Sequence, residues 1–280
     1  MQRWALCALM ALAATAASAA DNAPSPAEGR KLHALFERHW QYVARTYPEG
    51  ATYRGDHRYG GRLSEQSPAA RATQDAAVKR WLAEARKIKR ARLTPTDRVS
   101  LDLFISDQQR AIEFMPFAGY RSMSIGALGG AQTQLAELMQ VTPMDTAAQA
   151  RQLLQRFATM PRRMDEEITH LREGLRLGWV PPREVLARAL EQIDKQLAPA
   201  VEDSPFYKPF KQLPASLASS ERDALQASGR EAIARDVLPA LRQLRAFIAD
   251  EYLPKAPANG ALSGYPDGKR VYELLVREQT

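Results

Sequence analysis

The sequence predicts an all-α protein, a multi-helix array, and three observations carry that prediction. Apolar residues recur at three- and four-residue steps in one stretch after another, as helices with a single buried face require. Proline follows a capping hydroxyl at the start of several of these stretches (Ser25-Pro26, Ser67-Pro68, Thr94-Pro95), the chemistry of an N-cap and first turn. The composition is rich in Ala, Leu, Arg, Gln and Glu, all good helix formers. With 45% hydrophobic and 25% charged residues over 280 positions, the chain can bury a sizeable core as one large domain or two small ones.

Residues 1–20 read as a secretory signal peptide: Arg3 is the basic n-region, residues 4–14 the apolar run, and Ala17-Ser18-Ala19-Ala20 the cleavage zone. The run is too short for a membrane anchor, so no membrane span is expected after cleavage. The mature chain, 21–280, is expected to be exported, periplasmic or extracellular, and to form one helical domain. Cys7 lies in the leader and is the only cysteine, which excludes a Cys-ligated metal site or a thiol nucleophile from the mature chain. The net charge of +7 falls by one with the loss of Arg3. Lys and Arg are interspersed with Glu and Asp on helical faces, the pattern of a solvated surface, and nucleic acid is not an expected partner.

Ser25-Pro26-Ala27-Glu28 combines a capping box with a first-turn proline and opens a helix whose stripe is Leu32, Leu35, Phe36, His39, Val43 and Tyr47, ending at Pro48. His33 and His39 are six apart and do not share a face as zinc ligands would. Residues 49–67, with four glycines among Tyr53, Arg54, His57, Arg58 and Tyr59, form the longest irregular piece. A second helix follows Ser67-Pro68 with Val78, Trp81, Leu82, Ala85 and Ile88 facing inward. A third follows Thr94-Pro95 with Val99, Leu103, Ile112 and Met115.

Pro116 ends that helix, and residues 117–134 bring Gly119, Gly126, Gly129 and Gly130. Their spacing matches neither a P-loop nor a dinucleotide fingerprint. Small residues of this kind suit a backbone approached closely by a ligand or another segment, as in a cleft wall.

From Asp145 the helical pattern resumes through Leu153, Leu154, Phe157 and Met160, then Met164, Ile168, Leu171 and Leu175, to a stop at Gly178. His170 has no second histidine at ligand spacing, and the Glu166-Glu167 pair reads as a solvated face because neighbouring helical residues diverge by about 100°. Pro181-Pro182 opens the next helix, with Val185, Leu186, Leu190, Ile193 and Leu197. Residues 204–214 form a proline-punctuated connector that caps the core with Phe206, Tyr207 and Phe210. Residues 219–252 are the longest helical stretch, kinked at Pro239. Asp267-Gly268 launches a last amphipathic segment with Val271, Leu274 and Leu275 on one side.

No catalytic constellation emerges: there is no His-Glu pair, no Gly-x-Ser-x-Gly elbow, and no His, Asp and Glu cluster at ligand spacing. Several separated stretches nevertheless carry a family resemblance. Pro48-Glu49-Gly50-Ala51-Thr52, Gly55-Asp56-His57-Arg58-Tyr59, the 124–134 glycine stretch, Arg162-Arg163-Met164 with Pro181-Pro182, and Tyr265-Pro266-Asp267-Gly268 with Tyr272 and Thr280 resemble, in that order, the N-terminal half of the bacterial domain-of-unknown-function 885 family.

The resemblance implies an exported protein similar in fold to the helical zincin metallopeptidases of the neurolysin and thermostable carboxypeptidase type, in which two helical halves flank a deep cleft. It places a zinc site on a later helix, as a His-Glu-x-x-Pro-Gly-His variant of the zincin motif in which the Glu accepts a proton from the metal-bound water. No such residues occur here, so zinc is expected only in a full-length relative, and no catalytic or metal residue is assigned. The chain is expected to be the incomplete, cleft-forming N-terminal part of a zinc metallopeptidase-like hydrolase, inactive alone, with peptide as the substrate of a full-length form. Its cleft candidates are Gly126, Gly129, Gly130, Gln132 and Tyr272. The chain departs from the family pattern at Tyr265, where Leu is usual, and at Val271-Tyr272, where an aromatic pair is usual. The alternatives from other classes are a non-catalytic periplasmic helical binding or scaffold protein and a binder of anionic surfaces.

Overall fold

A computed structural model describes residues 24–279; the 1–20 leader with Cys7, and Thr280, lie outside the described residues. The described residues form the all-α array that the sequence predicts. Their regular structure is helical, and the only β-type pairing among them is an isolated bridge between Ile125 and Gly130. No helix among them is long and apolar enough to cross a membrane.

The principal helices are α1 (Pro26–Thr46), α2 (Pro48–Tyr53), α3 (Pro68–Ala85), α4 (Pro95–Phe114), α5 (Ala118–Arg121), α6 (Gln134–Leu138), α7 (Ala147–Ala158), α8 (Met160–Arg176), α9 (Arg183–Leu197), α10 (Lys208–Lys211), α11 (Ser219–Ala232), α12 (Leu238–Phe247) and α13 (Gly268–Gln279). Pro48 does more than end α1. It opens α2, because a first-turn proline lacks only an N–H that would have no helical partner there. The irregular piece therefore starts after Tyr53.

The chain divides into two compact units. The first comprises, of the described residues, 24–41 and 74–113. Leu32 and Leu35 of α1, Trp81, Leu82 and Ala85 of α3, and Leu101 of α4 are buried in it. Phe36 packs on Phe104 with ring centroids 5.3 Å apart, and His39 meets Trp81 and Phe104 edge-on. His33 turns elsewhere, its Nε2 lying 2.9 Å from Asp97 Oδ1, so the two histidines serve separate contacts. Helix α4 differs from expectation: Val99 and Leu103 are 58% and 61% exposed. The inward residues are Leu101 and Gln108, with Phe104 and Ile105 half-buried between them, because the apolar positions of α4 fit two helical faces and packing selects the one carrying Phe104.

The second unit, residues 42–73 and 114–280, holds the larger core. Helix α7 packs on α11, and α12 packs on both α8 and α9. Leu153 and Phe157 of α7, Met160, Met164, Ile168 and Leu171 of α8, and Ile233, Leu241 and Leu244 meet in one apolar cluster. Phe206, Tyr207 and Phe210 join it from the connector, as expected.

The long 219–252 stretch is interrupted by two π-turns, Ile233–Val237 and Ile248–Tyr252, each ending two residues before a proline, Pro239 and Pro254. A proline ring collides with the carbonyl four residues back and offers it no N–H, so the turn before it widens.

The C-terminal stretch forms a second cluster. Trp179 stacks on Tyr265 at 4.7 Å, and Phe117, Val271 and Leu274 pack around them. The Tyr265 hydroxyl donates to the Val180 carbonyl at 2.8 Å, a bond that a leucine at this position could not make. Gly119 is needed here because a Cβ at that position would lie 2.0 Å from Trp179 Cδ1. The apolar side of α13 is thus covered from within this chain.

Candidate functional site

A cleft of about 660 Å³ opens in the second unit. Three elements shape it. Helix α2 contributes Glu49, Gly50 and Tyr53, α6 contributes Gln134 and Glu137, and α8 contributes Arg163, Glu167 and His170. The α8 residues stand four and then three positions apart, the spacing that places side chains above one another on a single helical face. They occupy the polar side of α8, while Met164, Ile168 and Leu171 face the core.

Arg163 Nη1 donates to Glu167 Oε2 at 2.7 Å, with side-chain exposures of only 11% and 2%. Ser124, on the glycine-rich loop, donates its hydroxyl to the other Glu167 oxygen. A second pair runs parallel on α8: Arg162 donates to Glu166 Oε1 at 2.7 Å, and Glu166 Oε2 accepts the Gln66 N–H at 2.7 Å. Glu49 accepts from the Ser64 N–H and hydroxyl at 2.9 and 3.0 Å, fixing the 54–67 loop to α2.

The Arg71 guanidinium lies against the His170 ring and donates through Nε to the Gln66 carbonyl at 2.9 Å. Burial pulls its pKa down to about 10, with Glu167 acting in the opposite direction. His170 Nε2 lies 2.9 Å from the Arg121 carbonyl oxygen. At the rim stand Tyr47 and Tyr53; the Tyr53 hydroxyl is pushed above the usual tyrosine value, first by partial burial and then by Glu137. The wall is chemically mixed, with guanidinium and imidazole donors, carboxylate acceptors and aromatic faces.

The glycine-rich loop reaches this cleft through Ser124 and Ala131, while the cleft lining does not include Gly126, Gly129, Gly130 or Gln132. Gln132 is buried, its Nε2 donating to the Gly126 carbonyl at 2.8 Å and to Gln192 Oε1 at 3.0 Å. The Gln132 carbonyl accepts from Gln196 Nε2 at 2.8 Å, so this side chain and its backbone fasten the loop to α9. Gly130 sits at φ 154°, where a Cβ would come 2.3 Å from the Ser124 carbonyl oxygen, and it permits the tight return of the loop. Tyr272 is 58% exposed on α13 and is likewise outside the lining.

The solvated-face reading of Glu166-Glu167 is corrected: Glu167 is buried among Arg163, Ser124 and the loop, and Glu166 is largely covered. His170, read as a plain helix-face residue, lines the cleft. The local signal for both was the doubled i,i+4 charge pairing, Arg162 to Glu166 and Arg163 to Glu167, set opposite the apolar stripe.

A zinc ion, which the resemblance implies for a longer relative, does not fit the donors present. Among the described residues no group of three or more His, Cys, Asp or Glu is arranged to hold a metal, and the one histidine of the cleft lies against Arg71 and the Arg121 carbonyl.

Comparison with known proteins adds two findings. The profile of a family described as "Bacterial protein of unknown function (DUF885)" matches residues 48–280. A crystal structure described as that of "the putative lipoprotein from Colwellia psychrerythraea" superposes with a TM-score of 0.72 at 14% sequence identity, over 88% of this chain and 45% of that one. The shared fold is therefore clear, and the chain spans less than half the length of that neighbour. No curated protein matches the chain in sequence.

Proposed function

Because the chain belongs to the DUF885 family of bacterial proteins, we propose that it forms the peptide-binding wall of a cleft in an exported, metallopeptidase-like protein, and that these residues bind peptide without cutting it. The observation that carries the reading is the cleft itself. Its volume of about 660 Å³ lies in the range of pockets that enclose a small organic ligand. Its lining pairs Arg121 and His170 with the exposed carboxylate of Glu137 and the tyrosines of the rim. A short unblocked peptide presents the complementary set: a carboxylate, an ammonium and side chains that stack on aromatic faces. Zinc and the attacking water belong, on this reading, to a longer relative.

The test is calorimetric titration of the full chain with short unblocked peptides, alongside an assay for newly released amines. Binding without hydrolysis is expected, together with weak, substoichiometric zinc uptake. Tyr53→Ala at the rim should weaken peptide binding about tenfold, equivalent to ~1.4 kcal/mol, and Tyr272→Ala should leave it unchanged. Peptide hydrolysis, stoichiometric tight zinc, or equal sensitivity to both tyrosine changes would sink the reading.

A second reading, a helical binding or scaffold protein with no enzymatic role, draws on the burial of Val271 and Leu274 within this chain. It calls for cooperative unfolding of the monomer, coincident by two spectroscopic probes.

A further inference from the structure

A small cavity in the second unit, lined by a different set of residues, holds groups with no part in the cleft. Arg156 of α7 is fully buried. Its Nε donates to the Arg62 carbonyl at 2.9 Å, and its Nη2 donates to Thr52 Oγ1 at 2.9 Å and, more weakly, to the Tyr59 carbonyl at 3.5 Å. All three partners are neutral. Its Nη1 is shielded from solvent and has no hydrogen-bond partner. Beside it is a cavity of about 10 Å³ lined by Arg156, His57, Thr52, Thr142, Gln149 and Gln152 among others. His57 Nδ1 is also buried without a partner. Two residues that each carry a buried nitrogen without a hydrogen-bond partner thus line one small cavity.

Charge decides what the void holds. A guanidinium removed from water costs several kcal/mol unless an opposite charge is close. Burial draws the Arg156 pKa down to about 10, and Glu49, which acts against that shift, gives its carboxylate to the Ser64 N–H and hydroxyl. A water molecule would fill the space and accept hydrogen bonds but would leave Glu49 as the opposing charge, and that carboxylate is hydrogen-bonded to Ser64. A monatomic anion accepts from every donor around it and supplies an opposite charge in contact with the guanidinium. We infer that this cavity is a binding site for a single halide ion, held by the Arg156 Nη1 and His57 Nδ1 donors between α7 and the 54–67 loop. The ion would tie the loop that follows α2, and so the α2 side of the cleft, to the helical core.

Two measurements on the full chain test this. Thermal unfolding is followed in sodium chloride against sodium gluconate at fixed ionic strength, and crystals grown in bromide are examined for anomalous scattering. Chloride should raise the Tm by roughly 3–5 °C for each tenfold increase above its dissociation constant, and bromide should give an anomalous peak beside Arg156 and His57. His57→Phe should abolish the chloride dependence; the anomalous measurement needs no variant and stands whether or not His57→Phe folds. Equal melting in chloride and gluconate, or a water-like peak with no anomalous signal, would overturn the proposal.

Discussion

Glu167→Ala is the substitution that most sharply tests how the cleft wall is held. Glu167 receives the Arg163 guanidinium at 2.7 Å with the two side chains 2% and 11% exposed, and the Ser124 hydroxyl on its second oxygen. Truncation leaves a nearly buried cation and a hydroxyl without their acceptor. Breaking a buried pair from one side costs about 3–5 kcal/mol, because the remaining charge keeps its desolvation penalty and loses its compensation. For a chain of this size each kcal/mol moves the Tm by roughly 2–4 °C, so a fall of roughly 6–20 °C is expected in calorimetry. The double replacement Arg163→Met with Glu167→Leu removes both charges and retains apolar volume; it should recover most of the loss, since an apolar pair of similar size is often neutral or better. A Glu167→Ala cost below about 1 kcal/mol, or a double variant no more stable than the sum of its singles, would refute the coupling of these groups.

Two further outcomes follow from local geometry. Gly119→Ala places a methyl group 2.0 Å from Trp179 Cδ1 and should destabilise by about 1–3 kcal/mol through overpacking; unchanged urea midpoints would contradict the close approach. In the first unit, the Glu28 carboxyl lies below its ordinary value of 4.5, held there first by the Lys89 backbone N–H and then by Lys31. A folded-state value below the unfolded one means stabilisation that is fully present above about pH 4.5 and is lost as pH falls through the lower folded value. Glu28→Gln should therefore flatten the acid limb of the stability profile, and an unaltered limb would show that this carboxylate contributes nothing.

The fold was legible where its causes are local. Prolines at first turns located the starts of α1, α3 and α4, and Pro239 announced the interruption of the long C-terminal stretch, although not that it would be a π-turn. Pro48 was read as a stop because α2 is short and carries Gly50, so its own pattern is too brief to register. In α4 the apolar positions fit two faces, and only the packing of Phe104 against Phe36 distinguishes them. The candidate site was less legible for the same reason carried further. Glu167 is buried by a hydroxyl 43 residues earlier in the chain, and Glu166 accepts from a backbone N–H 100 residues earlier. No local pattern announces such partners. In the glycine-rich loop, Ser124 and Ala131 reach the cleft while Gln132 turns back to secure the loop on α9.

The central claim is that peptide binds in the cleft formed by α2, α6 and α8. Photocrosslinking tests it most directly: a short unblocked peptide carrying a photoreactive side chain is irradiated with the full chain, and the adducts are mapped by mass spectrometry. Adducts are expected on Tyr53, Gln134 or Glu137, competed away by excess unlabelled peptide. Adducts confined to other surfaces, such as Tyr272 on α13, or labelling that unlabelled peptide does not suppress, would contradict the claim.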